Sequence, residues 1–273
     1  MNYKTILVHF DPRPRCGERL ALAGRLAAQF DAHLVGLYAP GATHIPSYAL
    51  AEAGPALRDM VLAREADNAR EAQRRFQAAA PQRAEWRAAE GDAAHALRLH
   101  ARYADLVVAA QPQAGDEGDL IGLADDLALS AGRPVLFMPY AGEFPAVGKR
   151  VLIAWDAGRE AARAVSDALP LLRGADAVEV AVFDPQRARR HHGAQPGADI
   201  ALFLARHGVK VAVHTQSGAG YDVGAQILSR AADTSADLIV MGAYGHARVR
   251  ELVLGGVTRT VLQAMTVPVL MSH

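Results

Sequence analysis

The sequence predicts an α/β protein that is built from two successive domains of the same fold, on two observations. First, short apolar runs typical of buried parallel strands alternate with amphipathic stretches typical of helices. Second, the apolar run 4–11, which ends in Asp11, returns 145 residues later as the run 149–156, which ends in Asp156. Two further pairs of runs match in the same order, 104–108 with 236–240 and 133–138 with 267–272. Three matched segments in one order indicate a duplicated domain.

The composition limits the classes of function. The chain has 273 residues, of which 51% are hydrophobic, enough to fill a core in each of two domains. Twenty-nine basic residues balance twenty-nine acidic ones, so we expect neither nucleic acid nor a membrane surface as a partner. Cys16 is the only cysteine, which excludes an intrachain disulfide and fits a reducing, cytoplasmic setting. No apolar run is long enough to cross a bilayer.

The first half, residues 1–140, predicts five strands and four helices. The strands are predicted at 4–10, 33–38, 84–89, 104–109 and 134–138, and the helices at about 18–30, 56–80, 92–102 and 120–130. In the second helix, the apolar residues that recur on one face are Leu57, Val61, Ala69, Ala72 and Phe76. A linker rich in glycine and proline follows, at 140–148.

The second half, residues 148–273, repeats this order. Its strands are predicted at 150–155, 178–183, 209–214, 236–240 and 267–271. Helices are predicted from Glu160, as a short helix that ends at His207, at 221–232 and at 258–264. Parallel strands that alternate with helices form a sheet covered on both faces.

A glycine loop joins the fourth strand of the second half to the last helix. Gly242, Gly245 and Gly255 have the spacing Gly-x2-Gly-x9-Gly. Glycine lets the backbone approach a ligand closely, and the free N–H groups of a helix N-terminus attract phosphate. The spacing alone favours glycines that merely close a tight strand-to-helix connection, so a functional interpretation has to come from the rest of the chain.

The glycine loop resembles the nucleotide loop of the universal stress protein family, in which a Ser or Thr follows the last glycine. Here Gly256 holds that position, and Thr258 offers a hydroxyl two residues further on. The resemblance extends over both halves, so the chain is similar to the tandem proteins of bacterial type that carry two such domains. It implies two Rossmann-like domains of the adenine nucleotide alpha hydrolase-like kind, each with a parallel sheet of strand order 3-2-1-4-5.

This strand order implies where a ligand would bind. Ligands of open parallel sheets bind beyond the carboxyl ends of the strands, where the strand order reverses, here between strands 1 and 4. Asp156 and Gly242 would meet there. The resemblance implies that Asp156 contacts the adenine or ribose of ATP, with or without Mg²⁺, and that the Val182 backbone contacts the adenine edge. It implies a lining of the ribose and first phosphates by Met241, Gly242, Tyr244 and Gly245, and of the outer phosphates by Gly255, Gly256, Val257 and Thr258.

The charges of the loop favour a polyphosphate in the second half only. There His246, Arg248 and Arg250 face a single acid, Glu251, and Arg259 follows in the helix. In the first half Pro112 removes a backbone donor, and Ala128 stands where the last glycine is needed. The acids of this segment are Asp116, Glu117, Asp119, Asp125 and Asp126. We therefore expect no nucleotide in the first half, and Asp11 would be a remnant of an ancestral site.

Two hypotheses of function follow. The first is an ATP-binding module of stress-response signalling, in which nucleotide shifts the population of a surface that a protein partner recognises. The sequence favours no enzyme, although slow ATP hydrolysis stays open. The second is a structural scaffold without nucleotide, an intrachain pseudo-dimer that could form a homodimer through exposed strand edges. Cys16 lies in sequence beside Arg13, Arg15 and Arg19, which would lower its pKa if they converged, so a redox role also stays open.

Overall fold

The computed structural model describes residues 2–40, 47–89, 91–116, 120, 122–185, 195–218, 220–245 and 256–273. The strands of the first half are β1 (Thr5–Phe10), β2 (His33–Tyr38), β3 (Ala84–Ala88), β4 (Leu106–Ala110) and β5 (Val135–Met138). Its helices are α1 (Cys16–Phe30), α2 (Ser47–Ala79), α3 (Ala93–Ala101) and α4 (Leu123–Ser130).

The second half follows the same order. Its strands are β6 (Arg150–Ala154), β7 (Ala177–Phe183), β8 (Val211–Gln216), β9 (Leu238–Gly242) and β10 (Val269–Ser272). Its helices are α5 (Arg159–Leu172), α6 (Ala198–Arg206), α7 (Val223–Asp233) and α8 (Gly256–Ala264). The predicted bounds of three elements were wrong by two residues at both ends or by more than a full turn. β8 and β9 each lie two residues later than predicted, and α2 begins at Ser47, earlier than predicted, and continues through Pro55.

The strand order 3-2-1-4-5 is confirmed in both halves, since β3-β2-β1-β4-β5 and β8-β7-β6-β9-β10 are each hydrogen-bonded in that order. Within each half all pairs are parallel. The two sheets also join. β5 and β10 pair antiparallel, with Val269 opposite Phe137, and the result is one ten-stranded sheet.

The joined sheet has a hydrophobic core on each face. Side chains alternate along a strand, so Ile6 and Val8 of β1 face one core while Leu7 faces the other. The first core lies under α1, α2, α5 and α6, and the second under α3, α4, α7 and α8. Each core contains residues of both halves, so the two halves share their apolar interior across the β5–β10 junction.

Polar contacts reinforce this junction. The Tyr3 hydroxyl donates to the backbone oxygen of Asp167 in α5 at 2.7 Å. Gln111, directly after β4, donates through Nε2 to the backbone oxygen of Gln263 in α8 at 3.2 Å. Both contacts connect residues of different halves, so they add specificity to the apolar contact.

Candidate functional site

The predicted meeting of strands 1 and 4 is present in the second half. β6 and β9 are neighbours, with Ala154 opposite Met241, so Asp156 and Gly242 lie at the same edge of the sheet. Gly245 follows at this edge as well. A Cβ atom added to Gly245 would lie 3.7 Å from Oδ2 of Asp156. The carboxylate and the glycine loop therefore border one crevice.

Asp156 also has a structural role. Its Oδ1 accepts a hydrogen bond from the backbone N–H of Gly158 at 2.8 Å, which stabilises the turn that leads into α5. Its side chain is half-buried. The carboxylate thus stabilises a helix entry and borders the crevice at the same time.

Two glycines of the loop pack closely against the start of α5. A Cβ atom on Gly242 would lie 2.5 Å from the backbone nitrogen of Ala161, closer than any real contact allows. A Cβ atom on Gly245 would lie 2.9 Å from Oε2 of Glu160. The first glycine lets β9 approach the helix, and the second makes room for a carboxylate.

Glu160 is a site residue that the sequence analysis missed. Only 5% of its surface is exposed, and its carboxylate accepts a hydrogen bond from Nε of Arg159. Burial by itself would raise the pKa of Glu160, but the Arg159 hydrogen bond and neighbouring positive charge outweigh it and lower this pKa. Glu160 is therefore ionised beside Gly245. A second acid four residues after Asp156, at the start of the same helix, was the signal in the sequence.

Tyr244 has an unusual backbone φ angle, and its side chain points towards the first half. Its φ angle is 59°, in the left-handed region that favours glycine. Its backbone N–H donates to Oγ1 of Thr258 at 3.1 Å, and its hydroxyl donates to Oδ1 of Asp125 in the first half. The Tyr244 side chain thus points to the junction of the halves. The Thr258 hydroxyl oxygen accepts this bond and so connects the loop to α8. Its own hydrogen remains available for a second hydrogen bond.

The other predicted site residues divide into three groups. Val182 and Met241 are buried in strands β7 and β9, so only their backbones can face a ligand. Gly256 and Val257 form the first turn of α8, where backbone N–H groups have no partner within the helix. The predicted residues outside those that the structure describes are Gly255, His246, Arg248, Arg250, Glu251, Glu117, Asp119 and the remainder of 246–255.

The equivalent crevice of the first half contains arginine side chains. Asp11 is 1% exposed, and its Oδ2 lies 2.8 Å from a terminal nitrogen of Arg19, which is itself 2% exposed. Arg13 lies between the end of β1 and the segment after β4. It pairs with Asp116 at 3.3 Å and donates to the backbone oxygen of Gln111 at 3.1 Å. Arg13 therefore bridges the end of β1 to the segment after β4, and Arg19 pairs with Asp11 at the end of β1.

The second half carries smaller residues at the matching positions. The offset of 145 residues that relates Asp11 to Asp156 pairs Arg13 with Gly158 and Arg19 with Ala164. Neither glycine nor alanine can bridge the strand ends. This difference distinguishes the two crevices more clearly than the glycine spacing does.

The structure corrects our reason for expecting no phosphate in the first half. We attributed it to unneutralised acids between residues 111 and 130, but Asp116 pairs with Arg13, and Asp126 pairs with Arg98 at 2.7 Å. Burial alone would raise the pKa of Asp11, yet Arg19, His9 and Arg13 together lower it. Asp11 is therefore ionised and already paired.

Cys16 does not have the environment of a reactive thiol. It is fully buried at the start of α1. Burial raises its pKa, and this effect outweighs the neighbouring Arg19 that lowers it. Cys16 therefore packs at a helix start, and the redox role that the sequence left open has no support here, because burial disfavours the thiolate more than Arg19 favours it.

Fold and site together define a class of protein: a doubly wound α/β protein made of two five-stranded units, with a glycine loop at the switch point of the second unit. Residues 148–273 match the model of the Universal stress protein family. This half of the chain is thus a universal stress protein domain. The match does not extend to the first half, which shares the strand order.

A curated relative agrees with this assignment over a short stretch. The universal stress protein Slr1230 of Synechocystis sp. is 50% identical over 38 residues, which are 14% of this chain. The match spans only 13% of the length of that relative.

Two solved structures, from Archaeoglobus fulgidus and Pseudomonas aeruginosa, match the fold of the whole chain. A universal stress protein from Archaeoglobus fulgidus DSM 4304 is 18% identical with a TM-score of 0.72, and the match covers 98% of this chain and 95% of that one. A functionally unknown protein from Pseudomonas aeruginosa PAO1 is also 18% identical, with a TM-score of 0.61 over 99% of this chain and 92% of that one. A universal stress protein in complex with cAMP is 26% identical, with a TM-score of 0.35 over 50% of this chain and 98% of that one.

The length and hydropathy of the helices bear on membrane insertion. Among the residues that the structure describes, none of the helices is both long enough and apolar enough to span a membrane.

Proposed function

We propose that the protein is a stress-response signalling module that binds ATP in its C-terminal half. The nucleotide would occupy the crevice between the ends of β6 and β9, with the adenine near the Val182 backbone and the phosphates towards the start of α8. The proposal sets the protein in the cytoplasm, with an adenine nucleotide and a protein as its partners.

One observation carries the proposal: Asp156, Gly245 and the first turn of α8 converge on the crevice where the strand order reverses. Gly245 borders Asp156, and the hydrogen bond from Tyr244 to Thr258 draws the loop to the helix. Open parallel sheets bind ligands at this point, and helix N-termini bind phosphate. The family match covers the same half of the chain, residues 148–273.

Magnesium fits the residues that border the crevice. Mg²⁺ takes oxygen ligands and is commonly bound by one or two carboxylates together with substrate phosphates. Asp156 and Glu160 are two such carboxylates, and each has an oxygen within 4 Å of the position that a Gly245 Cβ atom would take. When bound, the ion would neutralise phosphate charge, and these two residues would orient it.

The N-terminal half would act as a pseudo-symmetric partner, a second domain of the same family without nucleotide. Arg19 and Arg13 already pair with Asp11, and Arg13 bridges the switch point of that half through Asp116 and the Gln111 oxygen. A nucleotide entering there would have to break buried ion pairs, which is costly. We therefore propose one nucleotide for each chain.

Signalling would follow from a population shift. A ligand that binds one arrangement of the glycine loop more tightly increases the population of that arrangement, and a protein partner can distinguish the two surfaces. This mechanism needs no catalytic base. Slow hydrolysis of ATP would be a side reaction and not the basis of the signal.

A second candidate is the scaffold without nucleotide. It is favoured by Glu160, an ionised carboxylate beside Gly245, which would repel a phosphate that arrives without a metal ion. In that case the protein would act through its surface as an intrachain pseudo-dimer. The outer edges of the sheet, β3 and β8, would offer the contacts of a homodimer.

Isothermal titration of the nucleotide-stripped protein with Mg-ATP tests the proposal. We expect one site for each chain. Gly245→Val should abolish it, because the new side chain would run into Glu160 and towards Asp156. Gly17→Val is the matched control, since Gly17 has open space around its Cβ position and lies in α1 of the other half.

The possible outcomes separate the hypotheses. One site that is lost in Gly245→Val and kept in Gly17→Val supports binding in the C-terminal half. Two sites for each chain would contradict the assignment of the first half. No heat with millimolar Mg-ATP, for a folded protein, would reject ATP binding and favour the scaffold.

A further inference from the structure

The glycine loop of the second half is held by a residue of the first half. Tyr244 lies between Gly242 and Gly245, and its hydroxyl donates to Oδ1 of Asp125, in the first turn of α4. We propose that Asp125 is a positioning residue of the C-terminal site, contributed in cis by the other half. The inference deepens the proposed function and depends on it for the identity of the ligand.

The backbone of Tyr244 needs such support. A φ of 59° is rarely adopted by a residue with a bulky side chain, so surrounding contacts must hold it. Two contacts do so from opposite ends of the residue. The N–H is bound by Thr258 of α8, and the hydroxyl is bound by Asp125. Thr258 belongs to the same half as the loop, whereas Asp125 makes the conformation depend on the junction.

The contact to Asp125 is shielded from water. Tyr244 is 6% exposed, and Asp125 is half-buried. Burial, together with the Asp125 carboxylate, raises the pKa of the Tyr244 hydroxyl above its usual range, so the group remains a hydrogen-bond donor. A buried hydroxyl that loses its acceptor costs free energy, which favours loop conformations in which the hydroxyl finds another partner.

A second hydrogen bond crosses the junction between the halves in the opposite direction. Gln111, which follows β4, reaches across to α8 and donates to the Gln263 oxygen. Its own Oε1 accepts from the backbone N–H of Tyr140 at 3.0 Å, and the side chain is 1% exposed. In each half, the segment after the fourth strand is thus bound to the last helix of the other half. Only in the second half is that segment a glycine loop.

This geometry couples the site to the junction. If Asp125 is lost, the loop populates other conformations, and the apparent affinity for a ligand falls by the fraction that is no longer competent. By the same linkage, a ligand that holds the loop strengthens the contact between the halves. The first half would therefore contribute to binding without holding a ligand of its own.

Two measurements on four forms of the full chain test the inference. The forms are the unchanged protein, Asp125→Ala, Asp125→Asn and Asp126→Ala. Asp125→Asn keeps an acceptor oxygen for Tyr244. Asp126→Ala is the matched control, because it removes the neighbouring carboxylate of the same helix, whose partner is Arg98 in the first half. The measurements are hydrogen exchange of the amides 241–245 without ligand and the dissociation constant for Mg-ATP.

We expect Asp125→Ala to speed exchange at residues 241–245 and to weaken Mg-ATP binding about tenfold. Asp125→Asn and Asp126→Ala should remain near the unchanged protein in both measurements. A role in stability alone would lower the melting temperature of Asp125→Ala and leave its exchange at 241–245 and its affinity unchanged, and this result would overturn the inference. If the unchanged protein binds no Mg-ATP, the proposed function fails, and the exchange comparison alone still decides whether Asp125 positions the loop.

Discussion

Acidification should destabilise the protein through one buried histidine, His9. This residue lies in β1 with none of its surface exposed, and its Nε2 is 2.8 Å from the backbone oxygen of Ala39. Burial lowers the pKa of His9 to about 4, and the attraction of Asp11 only partly opposes this. The folded protein therefore holds a neutral imidazole at neutral pH.

The magnitude follows from proton linkage. A histidine in the unfolded chain has a pKa near 6.5, so below that pH it binds a proton. His9 in the folded chain binds this proton only near its own pKa of about 4. The contribution of His9 is fully present above the unfolded value and is lost as the pH falls towards the folded one. Between about pH 7.5 and about pH 5 the loss amounts to roughly 2 kcal/mol. Asp11 loses its contribution at lower pH, because its folded pKa lies below the ordinary carboxyl value.

Urea unfolding at both pH values measures this loss. The variant His9→Gln keeps an amide donor for the Ala39 oxygen and removes the titration. Contributions of groups far from His9 are common to both proteins and cancel in the difference. We expect the free energy of unfolding to fall by about 2 kcal/mol less in the variant than in the unchanged protein. Equal losses in both proteins would refute the assignment of a neutral, buried His9.

Three further outcomes follow from the packing. Arg19→Met should lower the free energy of unfolding by about 3 to 5 kcal/mol, because Asp11 would remain buried without its closest cation. Urea unfolding should show a smaller loss for the double variant Arg19→Met, Asp11→Asn than for Arg19→Met alone. Gly242→Ala should lower the stability by about 1 to 3 kcal/mol through its collision with the α5 backbone, whereas Gly256→Ala, with open space around it, should stay within about 1 kcal/mol; thermal unfolding of both variants checks this. Cys16 should resist a thiol reagent in the folded protein and react fully in denaturant; rapid labelling of the folded protein would contradict its burial.

The sequence by itself determined the duplicated α/β fold, because this depends on local patterns: apolar runs make strands, periodic apolar positions make helices, and a matched pair such as Asp11 and Asp156 reveals the repeat. The strand order was implied by the family resemblance of the glycine loop, and the edge of the sheet where a site would lie followed from that order. The location of Gly242 beside Asp156 then followed from topology, since the carboxyl ends of neighbouring parallel strands share one edge.

The tertiary structure decided what fills each crevice and how the halves are joined. Arg13 and Arg19 stood in the sequence beside an acid, but only packing brings them onto Asp11 and the segment after β4. Glu160 became a site residue because β9 packs closely against α5. The antiparallel pairing of β5 with β10 places Asp125 opposite Tyr244, 119 positions apart. Contacts between such distant residues depend on the relative arrangement of whole elements, which no local pattern of residue types encodes.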